Sequence, residues 1–276
     1  MGRRERSGGR LLCRLSAMVV LAALVAAACG RNDSGGGGGR EGSSQASSEV
    51  GVTRPSASQP KDGGKLTYGL EAETDGFNPT RNRFAVSGLI IGNAVFDPLV
   101  AYDADGNTQP YLAQSVEPSD DYRTWTIKLR PGIVFHNGQK ADASALKKFI
   151  DALKASALTG AAARPIQEAR IVDELTVDVV MNQPWVAFPA TIVGQAGFLP
   201  APEMLDDPDG MSGHPIGTGP FVFKEWVPGN RFVATKNTSY WRAGMPHLDE
   251  VEFRPLPDVQ ARIQSLQSGT VNMIHF

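Results

Sequence analysis

Cysteine is the first thing this chain has little of. Of its 276 residues only Cys13 and Cys29 are cysteine, and nothing after residue 29 is. A disulfide framework is therefore excluded beyond that point, and a thiolate metal site has no ligands there. Runs rich in Lys and Arg are missing as well. Residues 1–28 hold five arginines against one glutamate, so the remaining 22 basic and 28 acidic residues leave a charge of −6. A mildly acidic chain of this kind offers no electrostatic reason to bind nucleic acid. The longest apolar run, Leu15 to Ala28, has fourteen residues with Ser16 its one polar member. That falls short of the roughly 20 residues a membrane-spanning helix needs.

Catalytic patterns are also absent. The four histidines, His136, His214, His247 and His275, form no close cluster and no His-Glu-x-x-His pair. Ser87-Gly88 and Ser212-Gly213 lack the second arm of a nucleophile elbow. Gly217-Thr218-Gly219 is followed by Pro220, not by the lysine of a phosphate loop. Glu71/Glu73 and Asp120/Asp121 are carboxylate pairs, yet nothing sets them at glycosidase separation. His136 reads as a structural histidine in a turn, with ligand or general base as its alternatives. These absences predict a protein without catalytic residues, metal or cofactor.

At the amino terminus, arginines precede the short apolar run, and Ala26-Ala27-Ala28 leads directly into Cys29. The pattern is a signal peptide over residues 1–28. Its end resembles the bacterial lipobox, in which the cysteine is acylated. Ala26 stands where a leucine is usual, so an ordinary signal-peptidase site abutting a cysteine is the alternative. Residues 29–63 continue with five consecutive glycines (Gly35 to Gly39), many serines, and Val50 and Val52 as their only large aliphatics. Such a segment buries too little to offset its ordering entropy and is expected to be a disordered tether, reaching roughly 30 Å.

The globular part is expected from residue 64. Lys65 to Leu70 alternates as a strand, and Ala85 to Phe96 has helical spacing that Asp97-Pro98 stops. Leu99 to Tyr102 is a short strand, Asp103 to Gly106 a type I turn, and Tyr122 to Arg130 a half-buried strand carrying Trp125, Ile127 and Leu129. Asp142 is a helix cap ahead of an apolar stripe at Leu146, Phe149, Ile150, Leu153 and Ala157. Ile171 to Met181 reads as a hairpin turning at Asp173-Glu174, Pro184 to Val193 as a short helix, and 200–213 as loop with one helical turn. Phe221 to Trp226 and Arg231 to Lys236 form a second hairpin around Val227 to Asn230. Val251 and Phe253 mark a strand, and Asp258 to Ser268 a helix with Val259, Ile263 and Leu266 on one side. Gly269 caps that helix and Val271 to Phe276 begins a last strand. Short strands alternating with a few helices predict α/β, or mixed α+β, architecture.

Three blocks carry a resemblance. They are Gly63 to Thr80 with Val95 to Gln139, the turn PIGTGPFVFKEW (Pro215 to Trp226), and Asn237 through Ser239-Tyr240-Trp241 and Leu248 to Gly269. Together they resemble the family 5 extracytoplasmic solute-binding proteins of ABC transporters, the oligopeptide, dipeptide and nickel-binding group, and they cover nearly all of residues 63–276. Asn272, Ser115-Val116-Glu117 and Ala141 to Phe149 depart from that family's pattern.

The resemblance implies a lobe of the periplasmic-binding-protein type II fold. Because the family clamps its ligand between two lobes and this sequence stops at Phe276, the expectation is the amino-terminal lobe with the second lobe missing, unable to close on ligand by itself. It further implies a substrate-binding lipoprotein, anchored through Cys29 to the outer face of the bacterial cell membrane, that delivers a peptide or similar small solute to ABC permease subunits. Extended peptides in such clefts are held by backbone pairing. The groove-lining loop after Asn78-Pro79 maps onto Arg83, Phe84 and Ala85. Arg83 can meet a ligand carboxylate bidentately, or be a solvated surface arginine. Tyr240 and Trp241 reach the cleft or pack in the core. A tethered extracytoplasmic hydrolase, or a non-transporting sensory or interaction lobe, stands as the alternative. The glycine turn Gly217 to Gly219 is expected to buttress the lobe and not to touch ligand.

Overall fold

The computed structural model describes residues 59–207 and 211–276. The signal peptide, Cys29 and nearly all of the tether lie outside the described residues. In chain order the elements are β1 (Lys65–Leu70), α1 (Val86–Val95), β2 (Val100–Tyr102), β3 (Thr108–Pro110), β4 (Ala113–Pro118), β5 (Thr124–Leu129), α2 (Ala143–Ala155), β6 (Ile166–Ile171) and β7 (Thr176–Met181). Then come α3 (Phe188–Thr191), a single 3-10 turn at Gly194–Gly197, α4 (Pro202–Asp206), β8 (Phe221–Val227), β9 (Arg231–Lys236), β10 (Glu250–Pro255), α5 (Val259–Gln267) and β11 (Met273–Ile274). The result is a mixed α/β lobe.

One sheet runs β11-β1-β10-β9-β8. In it β1 is parallel to β10 and β11, with Lys65 opposite Glu250, while β9 is antiparallel to both of its neighbours. Pairing β1 with β10 makes nearly the whole described chain one long crossover between two central strands. The second sheet, β4-β5-β7-β6, is antiparallel throughout, and β2 and β3 form a separate two-stranded ribbon.

Local chemistry explains the elements that position the rest. The Asp142 carboxylate accepts the Ala145 N–H at 2.9 Å, capping α2, whose buried Leu146, Phe149, Ile150 and Leu153 lie along one stripe. That helix packs on β6 and β7. Trp125, Ile127 and Leu129 on β5 and Val177, Val179 and Met181 on β7 are buried at alternate positions, as period-two strands require. Each such side chain taken out of water contributes about 1.5–3 kcal/mol. The core also holds Phe77, Phe96, Phe135, Phe188, Phe198 and Phe232, all fully buried.

Several expectations are corrected. The α2 helix stops at Ala155, short of Ala157, because the Ser156 hydroxyl donates to the Thr80 carbonyl and accepts from Leu158 and Thr159 N–H. That bonding pattern competes with a further helical turn. Tyr122 is not in a strand; it sits at φ 56 in the β4–β5 turn, with its ring near Trp125. Strands β3 and β4 are additions to the expected elements: β4 is an outer strand with little apolar alternation (Gln114, Ser115, Glu117) and is held by its ladder to β5. The helix expected over Pro184 to Val193 is one turn, Phe188–Thr191, and β11 is two residues. On α5 the apolar side is not inward: Val259 and Leu266 are 43% and 41% exposed, whereas Arg262 is 5% exposed. The Arg262 guanidinium donates to the carbonyls of Leu256 and Pro257, so the loop it ties down sets the helix orientation.

Candidate functional site

Two polar clusters flank α1. The first, at its carboxy-terminal end, is built on the Gly217-Thr218-Gly219 turn. Gly219 N–H donates to the Val95 carbonyl at 2.9 Å. A Cβ at Gly217 would lie 2.1 Å from Val95 O, and one at Gly219 would lie 2.5 Å from the Val95 carbonyl carbon. Only glycine permits that approach. His136 N–H donates to Gly217 C=O at 2.9 Å, its Nε2 pairs with Gly219 C=O at 3.0 Å, and Gly217 N–H approaches its Nδ1 at 3.4 Å. A carbonyl on one ring nitrogen and an N–H on the other define the neutral Nε2–H tautomer. Burial lowers the His136 pKa and keeps it neutral. The Asn237 side chain closes the turn from the other side, donating to Gly219 C=O at 2.9 Å.

Behind the turn lies Asp97, 1% exposed. Its carboxylate accepts three hydrogen bonds: Thr218 Oγ1 at 2.8 Å, Tyr240 OH at 2.9 Å and Trp241 Nε1 at 2.9 Å. Burial pushes its pKa up to about 6, against the pull of those donors and the nearby Arg242 charge. Tyr111 OH lies 3.3 Å from Tyr240 OH and accepts from Arg242, and Arg130 Nε donates to Tyr111 C=O. The Arg130 and Arg242 guanidiniums sit 5.2 and 5.9 Å from the Trp241 ring centre. Tyr240 and Trp241 therefore point inward, tying the segment after β9 to the end of α1.

The second cluster is the loop before α1. The Asn78 side chain donates to Met204 C=O and accepts from the Thr80 N–H and hydroxyl. Asn82 Oδ1 accepts the Asn78 N–H at 2.9 Å. Arg83 is held at both backbone groups, its N–H on the Asp75 carboxylate at 3.1 Å and its C=O on the Thr74 hydroxyl at 3.2 Å. Its side chain is exposed and has no carboxylate partner among the described residues. Phe84 points the other way: 8% exposed, its ring lies 6.1 Å from Phe198. Ala85 is the exposed cap residue of α1.

Of the residues singled out from sequence, Arg83, Phe84 and Ala85 share the amino-terminal end of α1, and Tyr240 and Trp241 meet at Asp97, just past its other end. Ten helical residues, about 15 Å, stand between them. They do not converge on one contact point. Asp97 and Gln195 escaped sequence reading: the first was legible only as a helix stop, and the second carries no motif. The remaining histidines are dispersed, His247 against Asp62, His275 against Glu71 and His214 against the Phe223 ring. Among the described residues no group of three or more His, Cys, Asp or Glu comes together to hold a metal ion, and no helix is long and apolar enough to cross a membrane.

This lobe, with its two sheets and the glycine turn lodged against α1, is of the periplasmic-binding-protein type II class. A family profile described as bacterial extracellular solute-binding proteins, family 5 (middle), matches residues 107–276, and the chain belongs to that family. The glutathione-binding protein GsiB of Pectobacterium atrosepticum is 32% identical over 185 residues, which cover 65% of this chain and 36% of GsiB. Among solved structures, AgaA of A. tumefaciens R10 in complex with agropinic acid aligns with TM-score 0.69 at 28% identity, covering 75% of this chain and 43% of AgaA. NikA of Brucella suis in complex with Fe(III)-EDTA aligns with TM-score 0.67 at 29% identity, covering 75% and 42%. The chain thus spans about a third of the length of the curated relatives it matches.

Proposed function

We propose that this chain forms one wall of the ligand cleft of a substrate-binding protein of an ABC importer, taking up a carboxylate-bearing peptide or similar small solute outside the membrane and handing it to permease subunits. The observation that carries this reading is the Arg83 loop. Its backbone is fixed at several points, yet it holds out a guanidinium without a carboxylate partner. A charge left unpaired on an ordered loop is available to a ligand without a reorganisation cost. Arg83 would pair with the ligand carboxylate in a bidentate geometry. Ala85, exposed beside it, would leave room for ligand backbone. Phe84 would contribute by anchoring the loop, its ring being buried. Tyr240 and Trp241 would shape the far end of the wall through Asp97.

The ligand chemistry is supported by the glutathione in the name of GsiB and by the agropinic acid and Fe(III)-EDTA held in the AgaA and NikA complexes, all of which carry carboxylates. Tethering through an acylated Cys29 would hold the lobe near the membrane, and Cys29→Ala should then release the protein from membranes into the soluble fraction. Isothermal titration of the chain with glutathione and with di- to pentapeptides tests the central reading. Saturable heat that Arg83→Ala weakens about tenfold or more supports it. Heat only with a ligand lacking any carboxylate overturns it.

A further inference from the structure

The loop that presents Arg83 is held from outside by one side chain that no sequence motif marks. Gln195 lies in the 3-10 turn Gly194–Gly197 and is half-buried. Its amide makes three hydrogen bonds, all to loop backbone: Nε2 donates to Pro79 C=O and Asn82 C=O, both at 2.8 Å, and Oε1 accepts the Phe84 N–H at 3.1 Å. Two carbonyls on one amide atom and an N–H on the other leave no ambiguity about which is nitrogen. Both amide hydrogens are used, and the three bonds bracket Arg83 on each side. The 3-10 turn is itself fastened to the strand after Asp97, for Gly197 C=O accepts the Leu99 N–H at 2.9 Å and isolated bridges join Pro98 to Phe198 and Val100 to Val193. One uncharged amide therefore couples the exposed loop at one end of α1 to the buried segment at the other.

We infer that Gln195 is a positioning residue for ligand: it sets the backbone from which Arg83 reaches a ligand carboxylate, and touches no ligand itself. This rests on the proposed contact at Arg83. Gln195→Met keeps side-chain volume and removes all three bonds; Gln195→Glu keeps volume and the bond from Phe84 N–H, but turns an oxygen toward the carbonyls of Pro79 and Asn82.

The test combines two measurements on the full chain. Amide hydrogen exchange at Phe84 should quicken about tenfold or more in Gln195→Met, while exchange in α2 stays unchanged. Titration with glutathione as free acid, and with the peptide Ser-Thr-Ser-Ala as free acid and as carboxy-terminal amide, should give about tenfold weaker binding of the free acids in both variants and no change for the amide. Adding Arg83→Ala to either variant should weaken the free acids no further. Unchanged exchange at Phe84 overturns the inference, and so does equal weakening of acid and amide, which marks a merely structural residue. If the unaltered chain binds none of these ligands, the contact at Arg83 and its positioning fall together, while Phe84 exchange still decides whether Gln195 holds the loop. Should Gln195→Met not fold, Gln195→Ala, which also removes all three bonds, carries both measurements.

Discussion

The two ends of α1 make opposite use of the same materials. At the Gly217–Gly219 end the acceptors are buried and satisfied: a carboxylate takes three donors, a neutral histidine ring lies between the Gly219 carbonyl and the Gly217 N–H, and Arg130 and the exposed Arg242 lie against aromatic rings. At the Arg83 end the side chains of Thr74, Asp75, Asn78, Asn82 and Gln195 bond to loop backbone, and the Arg83 guanidinium is left outside. Both ends are rich in hydrogen bonds, so bond count does not separate scaffold from site. What separates them is how the exposed cation is held: Arg242 bonds the Tyr111 hydroxyl and lies over the Tyr111 and Trp241 rings, whereas the Arg83 side chain has no such partner among the described residues.

The largest break in this contrast is expected from Gly219→Ala. Its Cβ would overlap the Val95 carbonyl group, which is backbone and cannot swing away. A loss of about 3 kcal/mol or more is expected, read as a lower urea midpoint or as insoluble protein.

Next is the pH dependence set by Asp97. Its pKa is about 6 folded against an ordinary 3.8, so the folded state holds that proton more tightly. The stabilisation is fully present below about pH 4 and is lost as pH rises through about 6, on the order of 3 kcal/mol in all. His136 acts in the opposite sense. Its lowered pKa penalises folding as pH falls below the ordinary histidine value. The difference between unaltered protein and Asp97→Asn, followed by urea titration from pH 4 to 7, isolates the carboxyl. A flat difference would remove Asp97 from the account.

Trp241→Phe keeps a ring for Arg130 but deletes one of the three donors to Asp97. It should cost about 1–2 kcal/mol and raise the Asp97 pKa further, both measurable in the same titrations. Smallest is Arg83→Ala, expected to leave stability within about 0.5 kcal/mol while weakening carboxylate ligands. A large stability loss there would erase the distinction between the two ends.

Much of the frame was legible where one residue type has one physical option. Asp142 and Asp258 each cap the helix they precede, because a short carboxylate ahead of an apolar stripe can satisfy the first free N–H groups. The β8–β9 hairpin follows from two strand-forming runs around Pro228-Gly229, and Gly229 takes φ 72 there. Strand β4 was not legible, because an outer strand is specified by its partner's ladder more than by its own alternation. Nor was the orientation of α5: periodicity identifies a stripe, but Arg262 bonding to the preceding loop turned Val259 and Leu266 outward.

The sequence by itself determined the family, the helix caps, the hairpins and the glycine turn, since these rest on neighbours a few residues apart and on backbone freedom that glycine alone supplies. Tertiary structure alone decided that Asp97 is a buried acceptor and that Tyr240 and Trp241 face it. It also decided that Phe84 is core while its neighbour Arg83 is free. Those outcomes depend on partners more than a hundred residues away, Gln195 for the loop and Thr218 for the carboxylate, which no local pattern announces.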